Sequence, residues 1–184
     1  MLTRRNGYDK LLVSESISLS HLTIFRRIAS VRKDFVYIRR LCMIYTDLTK
    51  KALKLCFEAH KDQTDKAGMP YVFHPFHLAE CMDDEISTAC ALLHDVAEDT
   101  DITIEELSEM GFPEEITRAL RLLKHEEGVE YFDYVRKIAE NPTAAKVKLA
   151  DLRHNSDLTR LACVDDAARE RAKKYAKAIE MLTK

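Results

Sequence analysis

His94-Asp95, followed one turn later by Glu98 and Asp99, places four ionisable side chains at the end of the most apolar stretch of the chain, residues 86–93. A helix that apolar belongs in a protein interior, where unpaired ionisable groups are costly. A divalent cation would offset that cost, with His94 offering a nitrogen and Asp95 an oxygen. Glu98 follows Asp95 by three residues and His94 by four, and Asp99 follows Asp95 by four. Both carboxylates therefore share the face and can handle protons. Taken alone, the same residues also read as a solvated, acidic helix end.

Two further stretches offer partners. In Gly68-Met69-Pro70-Tyr71-Val72-Phe73-His74-Pro75, Pro75 disfavours the helical region for His74 and sets it at a helix entrance. The helix dipole there favours neutral imidazole, the form that ligates metal. His77, a turn further on, competes for the role, with a surface or supporting position as its plainer reading. His60 reads as a packed or hydrogen-bonded histidine, and His21 and His125 receive no assignment. In residues 146–155, Lys148, Asp151 and Asn155 share one helical face. Asp151 can complete a nitrogen–oxygen site while Lys148 and Asn155 reach phosphate or sugar oxygens; the plain alternative is a surface Lys–Asp pair one turn apart. Two histidines and two carboxylates suit Mn²⁺, Fe or Zn²⁺ better than a thiolate site would.

These residues must be positioned by helices. Only four glycines and four prolines punctuate 184 residues, tryptophan is absent, and no strand alternation or internal repeat is visible. Helical spacing predicts helices over 47–62, from about Pro75, and over 84–98. Thr103 with Glu106 forms a capping-box pattern ahead of a stop at Gly111. Pro113 opens a helix to about Lys124 as its first residue, and further helices are expected at 129–140, 142–158 and 165–183. The fold class is all-α, a compact multi-helix bundle.

Charge divides the chain. Residues 1–42 hold nine Lys/Arg against three acids, whereas the remainder holds 20 bases and 28 acids. The first segment, in which 22–41 can form a basic helix, is expected to be an appendage, with 43–184 as the functional domain and Met43 as its beginning. An acidic body disfavours nucleic acid as a partner, since phosphate contacts supply most of that affinity. No apolar run is long enough to span a membrane. Five cysteines without a CxxC pair (Cys42, Cys56, Cys81, Cys90, Cys163) point to reduced core thiols and a cytoplasmic location.

With His…His-Asp…Asp in this order, the chain resembles the HD superfamily of metal-dependent phosphohydrolases. More closely, it resembles the hydrolase domain of the RelA/SpoT alarmone enzymes and their small stand-alone relatives. The resemblance rests on AHKDQTDKAGMPYVFHP (59–75), ALLHDVAEDTDIT (91–103) and VKLADLRHN (147–155), and covers roughly 47–160. It implies an HD-domain bundle in which His74, His94, Asp95 and Asp151 bind one divalent metal, Mn²⁺ first, with Fe, Zn²⁺ or Mg²⁺ as alternatives. It further implies that Glu98 and Asp99 activate and orient water and that Lys66 and Asn155 contact the nucleotide. The implied reaction removes the 3′-pyrophosphate of guanosine tetra- or pentaphosphate.

Two departures stand out. Asp65 occupies the position before Lys66 where those hydrolases carry an arginine that packs on guanine, and a carboxylate there cannot stack and would repel phosphate. LADRLHN has become LADLRHN, which moves an arginine to Arg153, about a quarter turn around its helix. Arg153 joins Lys66, Lys148 and Asn155 as the expected substrate-binding set. The partner expected is a small phosphorylated nucleotide, with self-association left open. Alternatives are another phosphorylated nucleotide, such as NADPH or a nucleoside monophosphate, or a non-catalytic regulatory module.

Overall fold

The computed structural model describes residues 44–184; the basic appendage expected over 1–42 lies outside the described residues. Eight α-helices and one short 3-10 turn make up the described part, which contains no strand. They are α1 (Asp47–His60), α2 (Phe73–Glu80), α3 (Glu85–Asp99), α4 (Ile104–Glu109), α5 (Glu114–Leu123), α6 (Tyr131–Ala139), α7 (Pro142–Ser156) and α8 (Asp166–Leu182), with the 3-10 turn Leu158–Arg160 between the last two. None of these helices is long and apolar enough to cross a membrane.

Local chemistry sets most of the boundaries. Thr46 and Thr49 form a reciprocal cap on α1, and Thr103 with Glu106 does the same for α4. Gly111, at φ 82°, supplies the left-handed turn after α4. Asn141 caps α7, and Pro142 takes its first position, where no N–H is required. Some expected boundaries shift. Pro113 is the N-cap of α5, not its first residue, because its ψ of 148° is extended. Helix α2 begins at Phe73, so His74 and Pro75 lie inside its first turn. Proline is tolerated there because the first four N–H groups of a helix have no intrahelical partner.

Helix α3 is the axis of the bundle. It packs against α1, α2, α5 and α7, and every residue from Ser87 to Ala97 is buried. A helix apolar all round has no face to give to water. Cys56 and Cys90 are core thiols, as the apolar pattern implies, whereas Cys81 and Cys163 are exposed.

The start of α3 is fixed by Asp84, whose carboxylate accepts from Ser87 N at 2.7 Å and from Lys146 Nζ of α7 at 2.7 Å. Partial burial raises its pKa, but Lys146 and Ser87 outweigh it and bring the group from 3.8 down to about 2. Stabilisation from this group is therefore complete above the unfolded value and is lost as pH falls through the folded one. Asp84→Ala is expected to cost ~1 kcal/mol at neutral pH. Urea unfolding of variant and wild type should converge as pH drops from about 4 to about 2.

Candidate metal centre

The last turns of α3 carry His94 and Asp95, both buried, and then Glu98, half-buried, and Asp99, exposed. The first turn of α2 brings His74 to them, and α7 brings Asp151. One ligand atom from each of His74, His94 and Asp95 lies within 4.8 Å of the others. His74 Nε2 is 3.5 Å from Asp95 Oδ2 and 3.4 Å from Asp151 Oδ1. Asp151 thus borders the cluster, but its other oxygen turns to Lys148 Nζ at 2.8 Å, and Asn155 donates to the oxygen facing His74. Tyr71 donates from its hydroxyl to Asp95 Oδ2 at 2.9 Å.

The donor set fits a cation. His94 donates from Nδ1 to the Ala91 carbonyl at 2.8 Å, while its Nε2 is buried with no hydrogen-bond partner. That nitrogen sits 2.9 Å from Asp95 Oδ1, close enough for charge attraction but outside hydrogen-bond geometry. Without a hydrogen bond, only the neighbouring carboxylate charge offsets the loss of water around that nitrogen. Burial works against an imidazolium at His94, but Asp95 and Asp151 outweigh it and hold the ring at about 9. Asp95 is held below the usual carboxylate range because His94 and His74 overcome its burial. Asp151 is lowered too, with Lys148 the chief opponent of burial. Glu98 and Asp99 move the other way: burial raises both, and the Asp95 charge adds to it. A cation here would displace a proton from His94 and compensate the carboxylates.

Two cavities open on this cluster, sharing Tyr71, His74, Asn155 and Tyr175 as walls. The first, about 360 Å³, carries the bases Lys66, Arg160 and Arg171. The second, about 350 Å³, contains Glu98, Asp99, Lys148 and Lys174. Lys66 and Asn155 both line the first cavity. Lys148 lines the second cavity, but its ammonium is paired with Asp151 instead of being free for phosphate, and that pair is buried, not a surface one. Arg153 is exposed and lines neither cavity. It lies two residues past Asp151, some 200° around the helix, so the substrate role expected for it is corrected.

Asp65 also behaves differently from expectation. It accepts from Ala67 N at 2.8 Å and Met69 N at 3.0 Å, and pairs with Arg160 Nη2 at 3.0 Å. These partners outweigh its small burial cost and lower its pKa. Its charge is offset, so it organises the loop and does not face the first cavity as a bare anion. His60 is buried and bonded to Gln63 at 2.9 Å, as its plain reading held, and His77 is exposed and stacks on His154 instead of facing the cluster.

Tyr71, His154 and Arg160 were not singled out from the sequence. Tyr71 precedes His74 by three residues, and that one-turn spacing was the available signal. His154 and Arg160 meet their partners 80 and 95 residues away, which no local pattern reveals.

No family model matches the chain. The guanosine-3′,5′-bis(diphosphate) 3′-pyrophosphohydrolase of Aquifex aeolicus is 33% identical over 114 residues, 55% of this chain and 16% of that protein. The GTP pyrophosphokinase of Myxococcus xanthus is 33% identical over 126 residues, 59% of this chain and 17% of that protein. The chain thus spans about a sixth of the length of these relatives. A solved structure described as a metazoan ortholog of SpoT that hydrolyses ppGpp aligns with a TM-score of 0.61 and 25% identity, covering 77% of this chain and 88% of that one. In sequence, and in the all-helical fold of its described residues, this chain resembles the HD-type hydrolases of the RelA/SpoT kind.

Proposed function

We propose that this protein is a divalent-metal-dependent phosphohydrolase that removes the 3′-pyrophosphate from guanosine tetra- or pentaphosphate. The observation that carries the reading is the buried His74–His94–Asp95 cluster, in which Nε2 of His94 faces Asp95 without a hydrogen bond, beside a cavity lined by Lys66 and Arg171. His74, His94, Asp95 and Asp151 would hold the ion, with Mn²⁺ as the expected species. When bound, such a cation lowers the pKa of water towards about 7 and draws charge from phosphoryl oxygens.

The chain's own groups do the rest. Glu98, whose proton affinity is raised by burial, accepts a proton from the attacking water, and Asp99 orients that water. Phosphorus gains the water oxygen and releases the ribose 3′ oxygen with its bonding pair. Lys66 and Asn155, together with Arg171, bind the nucleotide in the first cavity. Asp65 does not oppose this, because its charge is taken up by Arg160. On this reading residues 43–184 are the hydrolase domain, with 1–42 as a separate segment ahead of it.

The test uses metal-stripped protein incubated with guanosine tetraphosphate, NADPH and simple nucleotides, with and without Mn²⁺. Pyrophosphate should appear from the first substrate only when Mn²⁺ is present. Orthophosphate from another nucleotide would reassign the substrate. Absence of turnover from metal-loaded protein on the whole panel would leave a binding module.

A further inference from the structure

Each histidine of the centre has one ring nitrogen towards the carboxylates and the other held from behind. For His94 the holder is backbone. Its Nδ1 donates to Ala91 O at 2.8 Å; because a carbonyl can only accept, Nδ1 keeps its proton, and in the neutral, ligating ring the lone pair is on Nε2. His74 has no such carbonyl. Its Nδ1 lies 2.7 Å from Nδ1 of His154, on α7. The two rings are 4.8 Å apart and 28° from parallel. His77, three residues after His74 on the same helix, also stacks on His154, at 4.5 Å and 29°. Arg160 donates to the His154 carbonyl at 3.2 Å. His154 is therefore tied to its place through its ring and its backbone.

A contact between two imidazole nitrogens contains one proton, so one ring donates and the other accepts. With the proton on His74 Nδ1, neutral His74 points the lone pair of Nε2 at Asp95 and Asp151. With the proton on His154 Nδ1, neutral His74 must carry its own proton on Nε2, which closes that atom to a cation. We infer that His154 is a positioning residue for the metal centre: by accepting the Nδ1 proton of His74 it selects the tautomer whose Nε2 ligates, and its near-parallel ring, met edge to edge, sets the plane in which that nitrogen points. The inference rests on the metal reading above and adds a residue that the reading does not contain. Groups that hold a ligating histidine from behind typically change metal affinity by about 10–100-fold.

Equilibrium dialysis of the full chain against Mn²⁺ tests this without reference to turnover. His154→Ala should bind Mn²⁺ about 10–100-fold more weakly than wild type. His154→Asn, whose side-chain oxygen can stand near the Nδ1 position as an acceptor, should recover most of the affinity. His154→Arg, a donor only, should lose at least as much as alanine. Urea unfolding of the metal-free proteins monitors the fold, and if the alanine variant fails to fold, the contrast between asparagine and arginine decides. Wild-type affinity in His154→Ala, or asparagine no better than alanine or arginine, would overturn the inference and leave the centre standing. A wild type that binds no Mn²⁺ would remove both.

Discussion

Asp151→Ala should lose the divalent cation and about 3–5 kcal/mol of stability together. The two losses have separate causes. One oxygen of Asp151 faces His74 Nε2 at 3.4 Å, at the border of the His74–His94–Asp95 cluster, where we propose it ligates. The other pairs at 2.8 Å with the Lys148 ammonium, whose side chain is only 13% exposed. Removing the carboxylate strands that charge in the interior. Adding Lys148→Met to Asp151→Ala should therefore restore most of the stability without restoring the metal. Asp95→Ala should also lose the metal but at smaller structural cost, since no lysine depends on it. Metal content by elemental analysis and urea unfolding of the stripped proteins separate the effects. Normal metal content in both alanine variants would end the ligand assignment.

Glu98→Gln should do the opposite: keep the cation and lower kcat by about 10²–10⁴. Glutamine preserves shape but cannot accept a proton. Burial raises the Glu98 pKa above the ordinary 4.5, with Asp95 and Asp99 adding to it and Lys148 opposing. Wild-type kcat should accordingly fall as pH drops through that raised value, while the residual rate of Glu98→Gln should lack this acid limb. A glutamine variant with wild-type turnover would take Glu98 out of the mechanism.

What the sequence disclosed and what it withheld divide along the range of the interactions. Capping residues act over three or four positions, so Thr103 with Glu106 announced α4. The burial of α3 followed from its composition, and with it the cost of His94 and Asp95 at its end. Helical spacing correctly put Lys148, Asp151 and Asn155 on one face, yet spacing could not tell that Lys148 would be consumed by Asp151. Arg153 was drawn in by its place in a motif, although its angle around α7 turns it away. The Asp65–Arg160 pair lay beyond local reading altogether, because its partners come from a loop and a turn far apart in the chain. A residue that looked like an obstacle to anionic substrate is instead the anchor of a cation in the first cavity.

Helix α3 has no spare side: from Ser87 to Ala97 each residue is packed on a neighbour. Leu92 and Leu93 therefore sit under the same constraint as His94 and Asp95, which follow them. A change of one methylene in that interior is felt by everything in contact with it. Ligand geometry and core volume thus become a single heritable quantity, and drift in one must be answered by repacking in the other. Lineages of this protein should accordingly alter substrate preference through the loop after α1 and the turn after α7, where side chains can be exchanged without disturbing the helix that carries His94 and Asp95.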